Sequence, residues 1–172
     1  MKLAGKKGMS LPEVLIAVFI LSMSIGGVMS FYMMTQKTWV ESKAQTLLAR
    51  NAGVAMDFMT RGVPETDGIR GGIREAEAES VTCSGSTIVY TSGIDSLERR
   101  FYLSGSDLIY DPDTNTSGDE YQIVGDVSTD PVGLGFTLNE NKNIVTIKLD
   151  LESQEGGITR TASLSTRVYF RN

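Results

Sequence analysis

The spacing of apolar residues changes character twice along this chain. Between Val14 and Met34 the run VLIAVFILSMSIGGVMSFYMM holds no formally charged residue. As an α-helix rising about 1.5 Å per residue, a run of this length matches a bilayer hydrocarbon core of about 30 Å. Past Met34 the helical period persists but becomes one-sided. Val40, Ala44, Leu47, Leu48, Ala55, Phe58 and Met59 recur at three- and four-residue steps, while Lys37, Glu41, Gln45, Arg50, Asp57 and Arg61 fall mostly off that stripe. Asp57 and Arg61 form an acid-first i,i+4 pair. Gly62 and then Pro64 are stop signals. The pattern predicts one helix from about Leu11 to Arg61, roughly 75 Å long.

A glycine- and charge-rich stretch, GVPETDGIRGGIREAEAES, follows and predicts a linker with one helical turn. Beyond it the period shortens to two. β-type runs occupy 86–92, 97–104, 107–110, 121–127, 132–138, 143–152 and 158–170, with Val145, Ile147, Leu149 and Leu151 alternating against Ile144, Thr146, Lys148 and Asp150. Ser-Gly at 104–105 and Gly-Gly at 156–157 suit hairpin turns. The expected fold is α+β: a long N-terminal helix, apolar in its first half and amphipathic in its second, packed on an antiparallel β-sheet head.

The apolar run is preceded by Ser10-Leu11-Pro12-Glu13. This is an S-x-x-E capping box, in which the Ser10 hydroxyl bonds the amide at the third helical position and Glu13 reaches back to the Ser10 amide. Pro12 fits a first turn, where its missing N–H has no helical partner. Lys2, Lys6 and Lys7 stand ahead of the run, which places that end on the cytoplasmic side. A secretory signal with a loose Ser22-Met23-Ser24 cleavage site is too short to account for apolar character continuing to Met34. No cysteine lies nearby for a lipoprotein anchor.

Composition narrows the chemistry. A net charge of −5 removes duplex-DNA binding through a broad basic face, and no nucleic-acid partner is expected. The absence of histidine removes Ser-His and Cys-His devices. The single cysteine, Cys83, forms no internal disulfide and reads as a small buried hydrophobe. No phosphate loop or paired-carboxylate motif stands out, and no active site is assigned.

Lys6-Lys7-Gly8-Met9-Ser10-Leu11-Pro12-Glu13-Val14-Leu15-Ile16-Ala17 resembles the class III signal of type IV pilins and type II secretion pseudopilins. That signal combines a short basic leader, a glycine at the cut, a frequently N-methylated first residue and a glutamate fifth in the mature chain. Met9 stands where phenylalanine is commonest, and Pro12 where an ordinary apolar residue is more frequent. The resemblance implies cleavage by a prepilin peptidase between Gly8 and Met9, methylation at Met9, and an assembly role for Glu13, which pairs with the amine of a neighbouring subunit. It implies a leader over 1–8, a membrane and assembly helix over 9–34, its amphipathic continuation over 35–62, a linker over 63–80 and a β-rich head over 81–172. The implied partners are other pilin or pseudopilin subunits and the peptidase. The implied location is the inner membrane, cytoplasmic at the leader, with an extracytoplasmic head. The terminal RVYFRN is similar to the ends of minor pilins and pseudopilins of the larger J or W type. The rival is a single-span anchor carrying an extracytoplasmic binding domain or enzyme, with Glu13 only a cap. Within the apolar run, Gly26-Gly27 either permits close helix packing or marks where the helix loosens on assembly.

In the head, the loop from Asp111 to Glu120 sets Asp111, Asp113 and Asn115 at alternate positions, like the first half of a calcium loop. Its glycine comes late, however, and Gln122 stands where a bidentate glutamate belongs. A solvated turn is the plainer alternative. Arg99-Arg100 alternates across a strand, so one of the two is expected on the solvated face. Tyr90, Tyr102, Tyr110 and Tyr169 are expected in core or sheet-face packing.

Overall fold

The computed structural model describes residues 10–62, 71–129, 133–155 and 158–170. Helix α1 runs Leu11–Arg61 without interruption, as the pattern predicts. At its start the first helical bond runs from the Val14 amide to the Ser10 carbonyl (3.2 Å). Its end is set by Gly62, whose φ of 84° is open to glycine at little cost and whose amide donates to the Phe58 carbonyl at 2.8 Å. Pro64 lies outside the described residues.

The chain divides into two compact units between Lys43 and Ala44. In the second unit, Leu48, Ala52, Ala55, Met56 and Met59 of α1 are buried in a core shared with the strands. Leu47, assigned to the same stripe from sequence, stays 55% exposed. The buried line passes through Ala52 and Met56, so the stripe is turned by about one residue from its expected centre.

Among the described residues eight strands follow: β1 Thr82–Ser84, β2 Thr87–Thr91, β3 Glu98–Ser104, β4 Asp107–Asp111, β5 Tyr121–Val124, β6 Leu134–Leu138, β7 Ile144–Glu155 and β8 Ile158–Tyr169. All seven expected runs are found, and β1 is an addition. They do not form one sheet. β1 to β5 make one antiparallel meander in chain order, and β6 to β8 make a second. The two are joined by the Phe136 amide bonding the Gly85 carbonyl (3.1 Å) and by a bridge between Val127 and Leu151. Both faces that turn inward are apolar apart from Arg99 on the first. Ile88, Tyr90, Phe101, Leu108 and Tyr110 line the first sheet, and Val145, Ile147, Leu149, Leu151 and Val168 the second. β7 and β8 pair along their full length to Glu155↔Ile158.

The expected linker is structured where it is described. Short 3-10 turns span Ile73–Glu75 and Ala78–Ser80. Gly71 and Gly72 are buried, Gly72 against the end of α1 and Gly71 against side chains of the first sheet. A Cβ on Gly72 would overlap the backbone of Arg61 and Gly62, and one on Gly71 would overlap the Tyr110 hydroxyl and the Arg99 guanidinium.

Candidate functional site

The N-terminal segment is built from a capped start and an unbroken apolar barrel. Glu13 Oε2 accepts the Ser10 amide (3.2 Å) and also the Ser10 hydroxyl (3.3 Å). The reach-back half of the capping box is therefore present. The Ser10 hydroxyl turns to the carboxylate instead of the amide at the third helical position. Gly8 and Met9, the expected cleavage and methylation positions, lie outside the described residues.

Beyond Glu13 the helix is long and apolar enough to cross a membrane, with a mean hydropathy of 2.3 over its best window and none of that window buried within the chain. Several of its hydroxyls bond back to the helix backbone. Ser22 donates to the Phe19 carbonyl (2.8 Å), Ser24 to Ile20 (2.9 Å), Thr35 to Phe31 (2.9 Å) and Thr38 to Met34 (3.0 Å). Those pairings are what a lipid environment demands, since no water is present to complete them. Gly26 and Gly27 sit inside the continuous helix, and a Cβ at either would meet nothing within 4 Å. No contact among the described residues accounts for two glycines that each cost about 1 kcal/mol relative to alanine in a helix.

In the head the alternation expected for Arg99-Arg100 is present, one side chain buried and the other partly solvated, and both carry a carboxylate partner. Arg99 points to the same face as Phe101 and is completely buried. Its guanidinium grips Asp95 through both oxygens (2.7 and 2.6 Å), and its Nε donates to the Tyr110 hydroxyl (2.9 Å). That hydroxyl and the Tyr90 hydroxyl both donate to the Gly71 carbonyl. The hydrogen bond from Arg99 holds the Asp95 carboxyl at about 2, below its ordinary 3.8. On the opposite face Arg100 sits 4.5 Å over the Tyr102 ring and pairs with Asp111 (2.7 Å), its direct cross-strand neighbour.

This places the three residues expected to begin a calcium loop. Asp111 closes β4, buried, with one oxygen on Arg100. Burial raises its pKa against the lowering effect of that arginine, with Asp119 and Glu120 adding to the rise. Asp113 accepts the Asn115 amide (3.0 Å), the Asn115 side chain (3.2 Å) and the Thr116 hydroxyl (2.9 Å), an Asx turn that lowers its pKa. Among the described residues no group of three or more His, Cys, Asp or Glu side chains is arranged to hold a metal ion.

Tyr90 and Tyr110 lie in the core, stacked either side of Phe101 at 6.2 and 4.7 Å. Tyr169, expected in packing, is 64% exposed. Cys83 is half-buried, and burial pushes its thiol up to about 11, so it is protonated and unreactive at neutral pH. Sequence reasoning missed the Gly71 carbonyl as the acceptor around which the Arg99 cluster is organised. The available signal was Asp95 four residues before an arginine whose parity matches Phe101. The chain matches no protein-family model, no curated protein and no solved structure.

Proposed function

We propose that this chain is a structural subunit of a type IV pilin-like filament, a minor pilin or a type II secretion pseudopilin, anchored in the bacterial inner membrane before assembly. The observation that carries the reading is Glu13: a carboxylate in the first turn of a helix whose next stretch is uncharged, apolar and uncovered. A carboxylate at a membrane edge works against insertion unless a cation meets it, and intramembrane ionisable groups are functional as a rule. The amine created by cleavage after Gly8 is such a cation. Gly26 and Gly27 support the same reading, because close packing of a neighbouring helix or loosening of the helix on assembly each gives a use to two side-chain-free positions in mid-helix.

A second reading, a plain anchor bearing a binding or catalytic head, has one observation in its favour. The Ser10 amide already gives Glu13 a local partner. Mass spectrometry of the mature N-terminus in the membrane fraction separates the two. A chain beginning at N-methylated Met9, with Gly8→Val left at full length, is the expected result. An intact Met1, or normal processing of Gly8→Val, returns Glu13 to the role of a cap.

A further inference from the structure

The second sheet is asymmetric at its edges. β7 is covered on both sides, by β8 along its whole length and by β6 on the other side. Beyond β6 that cover continues at two described points, where Ser128 N–H bonds Asp150 O (2.9 Å) and Asp150 N–H bonds Gly133 O (2.6 Å). β8 is the outermost strand of its sheet. Among the described residues its outer edge pairs with no backbone group. Twelve residues of strand without proline or a bulge form a long template, approached among the described residues by the turn Ile73–Glu75. From Ile158 to Phe170 the strand carries two arginines and no carboxylate, in a chain whose net charge is −5.

Arg160 and Arg167 lie toward opposite ends of the strand. Arg167 lies on the solvent-side face opposite Thr146 of β7, with Tyr169 two residues on along the same face. Arg74, Arg167, Tyr169 and Thr60 line a cleft of about 390 Å³. Neither Arg74 nor Arg167 has an ion-pair partner among the described residues, whereas Arg61, Arg99 and Arg100 all do.

We propose that the outer edge of β8 is a docking site for an extended acidic segment of another protein, which adds as a strand and places a carboxylate against Arg167 and Arg74. Side chains directly opposite on neighbouring strands lie about 5 Å apart, so a residue of the added strand facing Arg167 is within ion-pair reach. Main-chain bonds supply attachment, and the arginines set the sign of the partner. A second copy of β8 is disfavoured, because it brings two more arginines and no acid to the same edge.

The test uses the full chain in detergent micelles and a short end-blocked peptide of alternating Glu and Val, with the Lys-Val peptide as its opposite. The expected result is binding of the Glu-Val peptide alone, slowed hydrogen exchange at alternate β8 amides, and affinity about five- to tenfold weaker in Arg167→Glu, as reversal of an exposed ion pair allows. Arg167→Lys should retain most of the affinity, and circular dichroism should show the Arg167→Glu head still folded. Absence of binding, equal binding of both peptides, or binding that leaves β8 exchange unchanged overturns the proposal. Protection of β8 that rises with protein concentration in the absence of peptide also overturns it, in favour of a second copy.

Discussion

Asp95→Asn should destabilise the head more than Arg99→Met, although both remove the same ion pair. The asymmetry comes from burial: the Arg99 side chain is fully buried and that of Asp95 is 17% exposed. Removing the acid leaves a guanidinium enclosed with only neutral partners, a loss of about 3–5 kcal/mol for breaking a buried pair from that side. Removing the base leaves a carboxylate that water can reach. The Tyr110 hydroxyl keeps its bond to the Gly71 carbonyl, and the methionine fills much of the vacated volume, so the loss should be nearer 1–2 kcal/mol. Denaturant unfolding of the full chain in mild detergent, followed through the near-ultraviolet circular dichroism of the buried tyrosines, measures both. Acid provides a second reading. Because the folded-state pKa of Asp95 is lowered to about 2, its contribution is present above the ordinary value of 3.8 and is lost as pH falls through about 2. Asp95→Asn should lack that part of the acid transition. Equal losses in the two variants, or superimposable acid curves for Asp95→Asn and the parent, would refute the claim that the guanidinium is the costly partner.

Glu13→Ala should leave processing and insertion intact and lower the filament-associated fraction. A cap alone predicts a helix loss of about 0.5–2 kcal/mol with equal partitioning between membrane and filament. Gly26→Ala should stabilise the isolated helix by up to about 1 kcal/mol, since nothing obstructs the added methyl, yet reduce assembly if a neighbouring helix packs there; pools quantified by shear fractionation decide it. Gly72→Ala should cost at least about 1–3 kcal/mol in the same denaturation assay, because the obstructing atoms are backbone. Calcium at about 100 times its dissociation constant would add roughly 2.7 kcal/mol to a head that binds it. With Asp111 engaged by Arg100, the melting temperature is expected to stay constant, and a rise abolished by Asp113→Ala would restore the loop as a calcium site.

The helix boundaries were legible because both are written locally, in Ser10 to Glu13 at one end and Gly62 at the other. The strands were legible through alternation, which says which face is buried but not which strand is the neighbour. The division between β5 and β6 therefore stayed hidden. Alternation likewise put Arg99 and Arg100 on opposite faces without saying which is buried. That choice depends on Asp95 and the Gly71 carbonyl, and the latter lies in a stretch whose composition says linker. Leu47 and Leu48 lie about 100° apart on the helical wheel, at the two margins of the expected stripe, and only docking decides which one turns inward. The Glu13 motif was the most readable feature, since its parts are contiguous, while partners of the head are specified by surfaces spread over distant segments.

Every strand of both meanders pairs with its neighbour in sequence, so each sheet has low contact order and can zip from its own turns. The contacts between sheet and helix are the ones that close long loops, and they carry the entropic cost. The slow step in folding should therefore be the docking of preformed hairpins onto the Leu48 to Met59 face. Mutations there, such as Ala52→Gly, should slow refolding, whereas changes at the far ends of β7 and β8 should mainly speed unfolding.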